Sequence, residues 1–235
     1  MKSLSILVLC TMMAVAFWMG FGFHNSFAQE SAGKLPADIH ADSLSRMPRP
    51  HLEDMMTDED KESFKRVLSW EKILNDPSGE LGPTGTRAWI PQLAEEYRKL
   101  GTMVHKANTM EPKYVELVAC VAVRETDNPE EWFGHAATCT KLLGAKTVEV
   151  VQKEEPVSLL EDQKAAAMIQ FGRELFHQRR VSSKTFANME QQFGRRDTLD
   201  VTLLMGYYDQ NDVMYRAYDQ HNEKAEADRP WPEGK

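Results

Sequence analysis

Apolar positions along this chain recur at the 3.6-residue period of a helix, and no segment shows the strict alternation of a half-buried strand. Thr57-Asp-Glu-Asp60 reads as a capping-box start, after which Phe64, Val67, Leu68 and Leu74 supply one apolar face. Asn75 to Gly85 reads as a loop by its Pro and Gly content. Pro91 fits the first turn of a helix carrying Leu93, Tyr97 and Leu100. A further helix is predicted over 112–126. Asn128-Pro129-Glu130-Glu131 then offers an N-cap, a Pro at the first helical position and acidic residues in the first turn, so another helix starts there and ends near Gly144. The pattern continues with a short helix near 148–152 and a long one from Leu159 to about Gln178. Ser182 and Ser183 cap a helix reaching Phe193-Gly194, and a last one runs from about Thr198 to Asp219. The expected fold is all-α, about eight helices in one domain over 57–221, with no internal repeat. Residues 29–56, with Pro36, Pro48 and Pro50, read as an extended lead-in, and the polar tail 222–235 as loose.

The N-terminus breaks the period. Lys2 precedes an apolar run from Leu4 to Phe23, and Ser26-Phe27-Ala28 places small residues at −3 and −1. This is a secretory signal peptide with cleavage expected after Ala28, and hence a periplasmic or secreted protein. The rival reading is an uncleaved membrane anchor through residues 4–23, since the run is about long enough to span a bilayer.

Composition narrows the function classes. At 235 residues and 42% hydrophobic the chain can bury one sizeable core. A net charge of −8 with no basic block argues against nucleic acid as a partner. Three cysteines at unrelated spacings make neither a disulfide framework nor a metal cluster, so no metal and no cofactor is expected. Neither GxGxxG nor GxxxxGK[ST] occurs, which leaves nucleotide folds without support.

One pair of helices concentrates polar groups. Glu116, Cys120 and Arg124 recur at four-residue intervals on helix 112–126, as do Glu131, His135 and Cys139 on the next. The connection is so short that the two helices must pack antiparallel. A symmetric register sets Arg124 opposite Glu131, Cys120 opposite His135 and Glu116 opposite Cys139. A slip of one turn brings Glu116 towards His135 instead. In either register two carboxylates, a guanidinium and an imidazole share an apolar interface, a setting that perturbs proton affinities. The same groups also suit a purely structural hairpin whose Arg–Glu pair and core His specify register. Cys120 reads as a small core residue, and in the symmetric register the cysteines stand too far apart to bridge. Tyr207 and Tyr208, next to Gly206, read as packing.

These residues also carry a resemblance. Glu116-Leu117, Arg124-Glu125 and Glu131-Trp132-Phe-Gly-His135 resemble the carboxymuconolactone decarboxylase-like family of the AhpD-like superfamily. Leu81-Gly82-Pro83, followed by Pro91-Gln-Leu-Ala94, agrees with it. So do Arg173-Glu174-Leu175, Arg180-Val181-Ser182, Thr185-Phe186 and Leu203-Leu204-Met205-Gly206-Tyr207-Tyr208. The likeness spans roughly 45–218 and implies an AhpD-like helical bundle assembled as a homo-oligomer, a trimer or hexamer. In the family's redox branch a Glu precedes a C-x-x-C-x-x-x-H motif. Glu116 and His135 keep that interval, but the cysteine positions fall on Asn128 and Glu131, so thiol-dependent peroxidase chemistry is disfavoured.

What the resemblance then implies is a cofactor-free lyase of decarboxylase type acting on a small carboxylated lactone or related organic acid. In that reading His135 is the general acid/base, Glu116 orients it and Glu131 is an accessory carboxylate. Arg124 anchors the substrate and Trp132 walls the pocket. The alternative is an exported binding or assembly protein that keeps the fold without the chemistry. Membrane enters as a partner only if the N-terminal segment is not cleaved.

Overall fold

The computed structural model describes residues 35–75, 81–106, 109–222 and 228–232; the expected signal segment 1–28 and the start of the lead-in lie outside them. The chain divides into Met1–Asp38, of which only the turn at 35–38 is described, and Ile39–Lys235. Among the described residues every regular element is helical, and eight α-helices are present. They are α1 (Asp58–Trp70), α2 (Gly82–Thr86), α3 (Pro91–Lys106), α4 (Pro112–Glu125), α5 (Pro129–Leu143), α6 (Ala145–Gln152), α7 (Gln163–His177) and α8 (Ser183–Tyr218). No helix among them is long and apolar enough to cross a membrane.

Local chemistry sets the helix ends. The Thr57 hydroxyl accepts from the Asp60 amide at 3.0 Å while the Asp60 carboxylate accepts from the Thr57 amide at 3.0 Å, a complete capping box. The Asn128 side chain caps α5 by accepting from the Glu131 amide at 3.1 Å, and Asp162 caps α7. The two expected helices at the C-terminal end meet within α8 at a kink at Gly194, whose φ of 76° is open to glycine and strained for other residues. The segment expected as a loop up to Gly85 instead starts α2 at Gly82, where Pro83 supplies a pre-set φ in the first turn.

α4 is the centre of the fold. Leu117 through Val123 are all at most 1% exposed, and the helix packs against α5, α6, α7 and α8. A near-continuous apolar stretch is what a helix enclosed on all sides requires. α7 approaches most closely at Gly172, where a Cβ would lie 2.3 Å from Val121 Cγ1 and 3.1 Å from Met205 Cε. Gly172→Ala is therefore expected to overpack this crossing. It should cost about 1–3 kcal/mol, beyond the gain of about 1 kcal/mol in helix propensity. A thermal melt checks this: the melting temperature should fall, and a rise would show that the helices separate freely.

Two segments without periodic pattern are nonetheless held. In the expected lead-in, Ser43, Ser45 and Arg49 are buried, and residues 43–46 are stitched to the end of α8. The Arg46 amide donates to Tyr218 O at 2.7 Å and the His221 amide to Leu44 O at 2.7 Å. The Gln220 side chain donates to Ser43 O and Leu44 O. The tail expected to be loose docks at 228–232: Trp231 is 5% exposed against Trp132, with ring centroids 5.1 Å apart, and Arg229 pairs with Asp127 at 3.2 Å.

Candidate functional site

In the α4–α5 hairpin Glu116 meets His135. Glu116 Oε1 and His135 Nδ1 lie 2.8 Å apart, and the two side chains are 22% and 26% exposed. With a carboxylate as acceptor, Nδ1 carries the proton and donates, which leaves Nε2 as the nitrogen that exchanges protons. The cysteines are offset the opposite way: Cys139 lies beside Cys120, closer than expected, so the two contacts bracket the symmetric register, and both thiols are buried and free. The Cys139 thiol and burial push the Cys120 thiol well above its usual range, so it stays protonated and a poor nucleophile.

α8 closes over the imidazole. The Tyr208 ring stands edge-on to His135 at 5.0 Å between centroids, and the tyrosine is only 5% exposed. Its hydroxyl lies 2.9 Å from His105 Nε2, while His105 Nδ1 lies 2.7 Å from Gly101 O. Because a carbonyl only accepts, Nδ1 donates, and neutral His105 accepts from the Tyr208 hydroxyl at Nε2. Burial pushes the Tyr208 phenol up, so it remains a donor. Two imidazoles thus flank one buried phenol.

Beyond Tyr208 lies a second polar group. Arg87, 7% exposed, stacks on Tyr97 at 3.8 Å from the ring centroid and donates from Nη2 to Asn211 Oδ1. Asn211 Nδ2 in turn donates to Glu131 Oε1 at 3.0 Å. Tyr97 and Tyr207 stack at 5.0 Å. Arg87, Tyr97 and Tyr207, together with Trp70 and His105, line a cavity of about 150 Å³.

The expected site residues therefore divide. Glu116 and His135 meet. Glu131, one turn before His135, is turned to Asn211. Arg124 is 3% exposed and pairs with Glu154 at 3.1 Å, donating also to Gln152 O at 2.8 Å, at the end of α6. It does not pair with Glu131 or the dyad as a substrate anchor would, because Glu154 and the Gln152 carbonyl hold its guanidinium at the α6 terminus. Trp132 is buried in the core against Trp231. The open space expected against the imidazole is taken by Tyr208, and neither Glu116 nor His135 lines the 150 Å³ cavity. Arg87, His105 and Asn211 escaped the sequence reading, and Tyr208 was read as packing only. Arg87 sits inside the Gly-Pro to Pro-x-Leu-Ala segment and Tyr208 inside the Gly-Tyr-Tyr segment, so the resemblance was the one signal that pointed to them.

A larger cleft of about 1050 Å³ lies at the far ends of α4 and α7. There Glu125, Glu154 and His177 bring ligand atoms within 4.8 Å of one another. Arg124 on Glu154 and Arg173 near Glu125 (3.5 Å) already supply the positive charge that a metal would bring, and His177 Nε2 sits 2.9 Å from Glu125. Burial raises the Glu125 carboxyl, with His177 and Arg173 pulling against it. The arrangement is a charge-balanced junction of helix C-termini. No family model matches the chain, and neither curated proteins nor solved structures yielded a match.

Proposed function

We propose that this protein is a lyase of the carboxymuconolactone decarboxylase type, acting on a small carboxylated lactone or related organic acid outside the cytoplasm. The observation that carries the reading is the 2.8 Å contact between Glu116 and His135, in a half-buried setting formed by two helices. Loss of CO₂ from such a substrate breaks the bond to the carboxylate carbon and leaves the electron pair in a dienolate, which then takes a proton at carbon. Protonated His135 delivers that proton from Nε2, and solvent returns one to the ring. Each turnover releases one CO₂ and consumes one proton. Glu116 fixes the ring orientation and balances its charge, as a carboxylate beside a catalytic imidazole does. Glu131 reaches Arg87 at one remove, through Asn211, and does not touch the dyad.

Assembly as a homo-oligomer belongs to the same proposal. Ile90, at the entry to α3, and Leu93, Leu100 and Met103 of α3 are 44–62% exposed at spacings that return to one side of the helix, an apolar face that a second copy would cover.

A second reading has an observation of its own. Tyr208 stands between the dyad and the cavity, as in a binding protein that keeps the fold without turnover. Incubating the purified protein with carboxymuconolactone, and following lactone loss and CO₂ release, separates the two. Turnover is expected. Binding of the lactone with no CO₂ would leave the binding reading in its place.

A further inference from the structure

Arg87 is a buried cation with no counter-ion in direct contact, the Glu131 charge acting on it only across Asn211. Among the described residues it forms no salt bridge, its Nε has no hydrogen-bond partner, and its remaining contacts are neutral: the Asn211 carbonyl and the Tyr97 ring face. Glu131 is kept one amide away by Asn211. Placing a guanidinium in such surroundings is costly unless an anion joins it, and burial pulls its pKa down accordingly. The other charges on the cavity wall do not fill that role. Glu71 is paired with Arg98 at 3.3 Å, and Arg98 lies over the Trp70 ring at 4.2 Å.

We propose that the cavity lined by Arg87, Tyr97, Tyr207, His105 and Trp70 is a binding site for the carboxylate end of a small planar organic acid. Its volume of about 150 Å³ matches that of an apolar cavity that holds one benzene molecule, so a single ring or a short conjugated acid fits and a polymer or nucleotide does not. The stacked Tyr97 and Tyr207 rings, with Trp70, offer flat walls for a planar ligand, and the guanidinium offers the charge-assisted hydrogen bonds that hold a carboxylate. The walls are closely fitted: a Cβ on Gly101 would lie 2.6 Å from the Tyr207 hydroxyl, so glycine is what lets that ring lie against α3. His105 joins this cavity to the dyad, because it bonds the Tyr208 hydroxyl whose ring abuts His135. As the anchoring half of a decarboxylase site the proposal rests on the function given above, but as a binding site it is tested without turnover.

The test is equilibrium binding to the full chain, by calorimetry and by Trp fluorescence, with benzoate, its uncharged isostere benzamide, and inorganic phosphate. Benzoate should bind at least about tenfold tighter than benzamide or phosphate. Arg87→Gln should remove that preference while His135→Ala keeps it. Equal binding of benzoate and benzamide by the parent chain overturns the proposal with no variant needed, and so does a preference that survives in Arg87→Gln. Phosphate binding as tightly as benzoate also overturns it, as a site for any anion. If benzoate selectivity holds while carboxymuconolactone is not turned over, the lyase reading fails and the carboxylate site stands. If the lactone is turned over while binding is unselective, the carboxylate site fails and the lyase reading stands.

Discussion

Replacing His135 with alanine is expected to lower carboxymuconolactone turnover by about 10²- to 10⁴-fold, the range that a positioned acid/base group contributes. The fold should survive. His135 is on the half-buried flank of the hairpin, its one polar contact within the hairpin is Glu116, and the carboxylate left behind is 22% exposed, so water can solvate it. The melting temperature of the variant should stay within a few degrees of the parent. Glu116→Gln keeps an acceptor for Nδ1–H but removes the negative charge that steadies a protonated ring, so a smaller loss, about tenfold, is expected there. Steady-state kinetics on both variants, with circular dichroism as the fold control, checks the ordering. A Glu116→Gln defect larger than that of His135→Ala would reverse the assigned roles.

The second large effect concerns stability. Asp212, 1% exposed on α8, has neither carboxylate oxygen in a hydrogen bond of good geometry, and its close partner is Arg216. Burial pushes its carboxyl up to about 7, with Arg216 pulling against it and Asp209, Glu130 and Glu131 adding to the rise. In the unfolded chain the group returns to its ordinary value of 3.8. Between those two values the folded chain holds a proton that the unfolded chain has lost, so stability falls as pH rises through that window and levels off above about 7. The slope is about 1.4 kcal/mol per pH unit, summing to the order of 4 kcal/mol from this one group. Asp212→Asn, which cannot ionise, should lose this component and be the more stable protein at pH 8. Urea unfolding of both chains at pH 4.5, 6 and 8 measures it, and parallel stability curves would contradict the burial argument.

The helices were legible because their signals are local. Thr57 with Asp60, Asn128 with Pro129, and Ser182 all act within one turn of the residues that they cap, and the apolar face of each helix repeats along its own sequence. The pairing of Glu116 with His135 was legible only as one of two possibilities, since antiparallel spacing alone does not say which groups one turn apart will meet. Arg87 sits in a 3₁₀ turn between the five-residue α2 and α3, where no periodicity marks a face. The His105–Tyr208 bond joins residues 103 positions apart. The stitched lead-in depends on backbone and single-residue hydrogen bonds and the docked tail on one tryptophan and one Arg–Asp pair, which leave no repeating hydrophobic pattern to read.

The central claim is that His135, held by Glu116, moves the proton. Adding imidazole to the folded His135→Ala protein during carboxymuconolactone turnover tests it most directly, because the vacated position lies on the half-exposed flank of the hairpin. A very low rate is expected without imidazole, and a rate that climbs with imidazole concentration until it saturates. A folded His135→Ala chain that turns over at the parental rate, with imidazole making no difference, would contradict it.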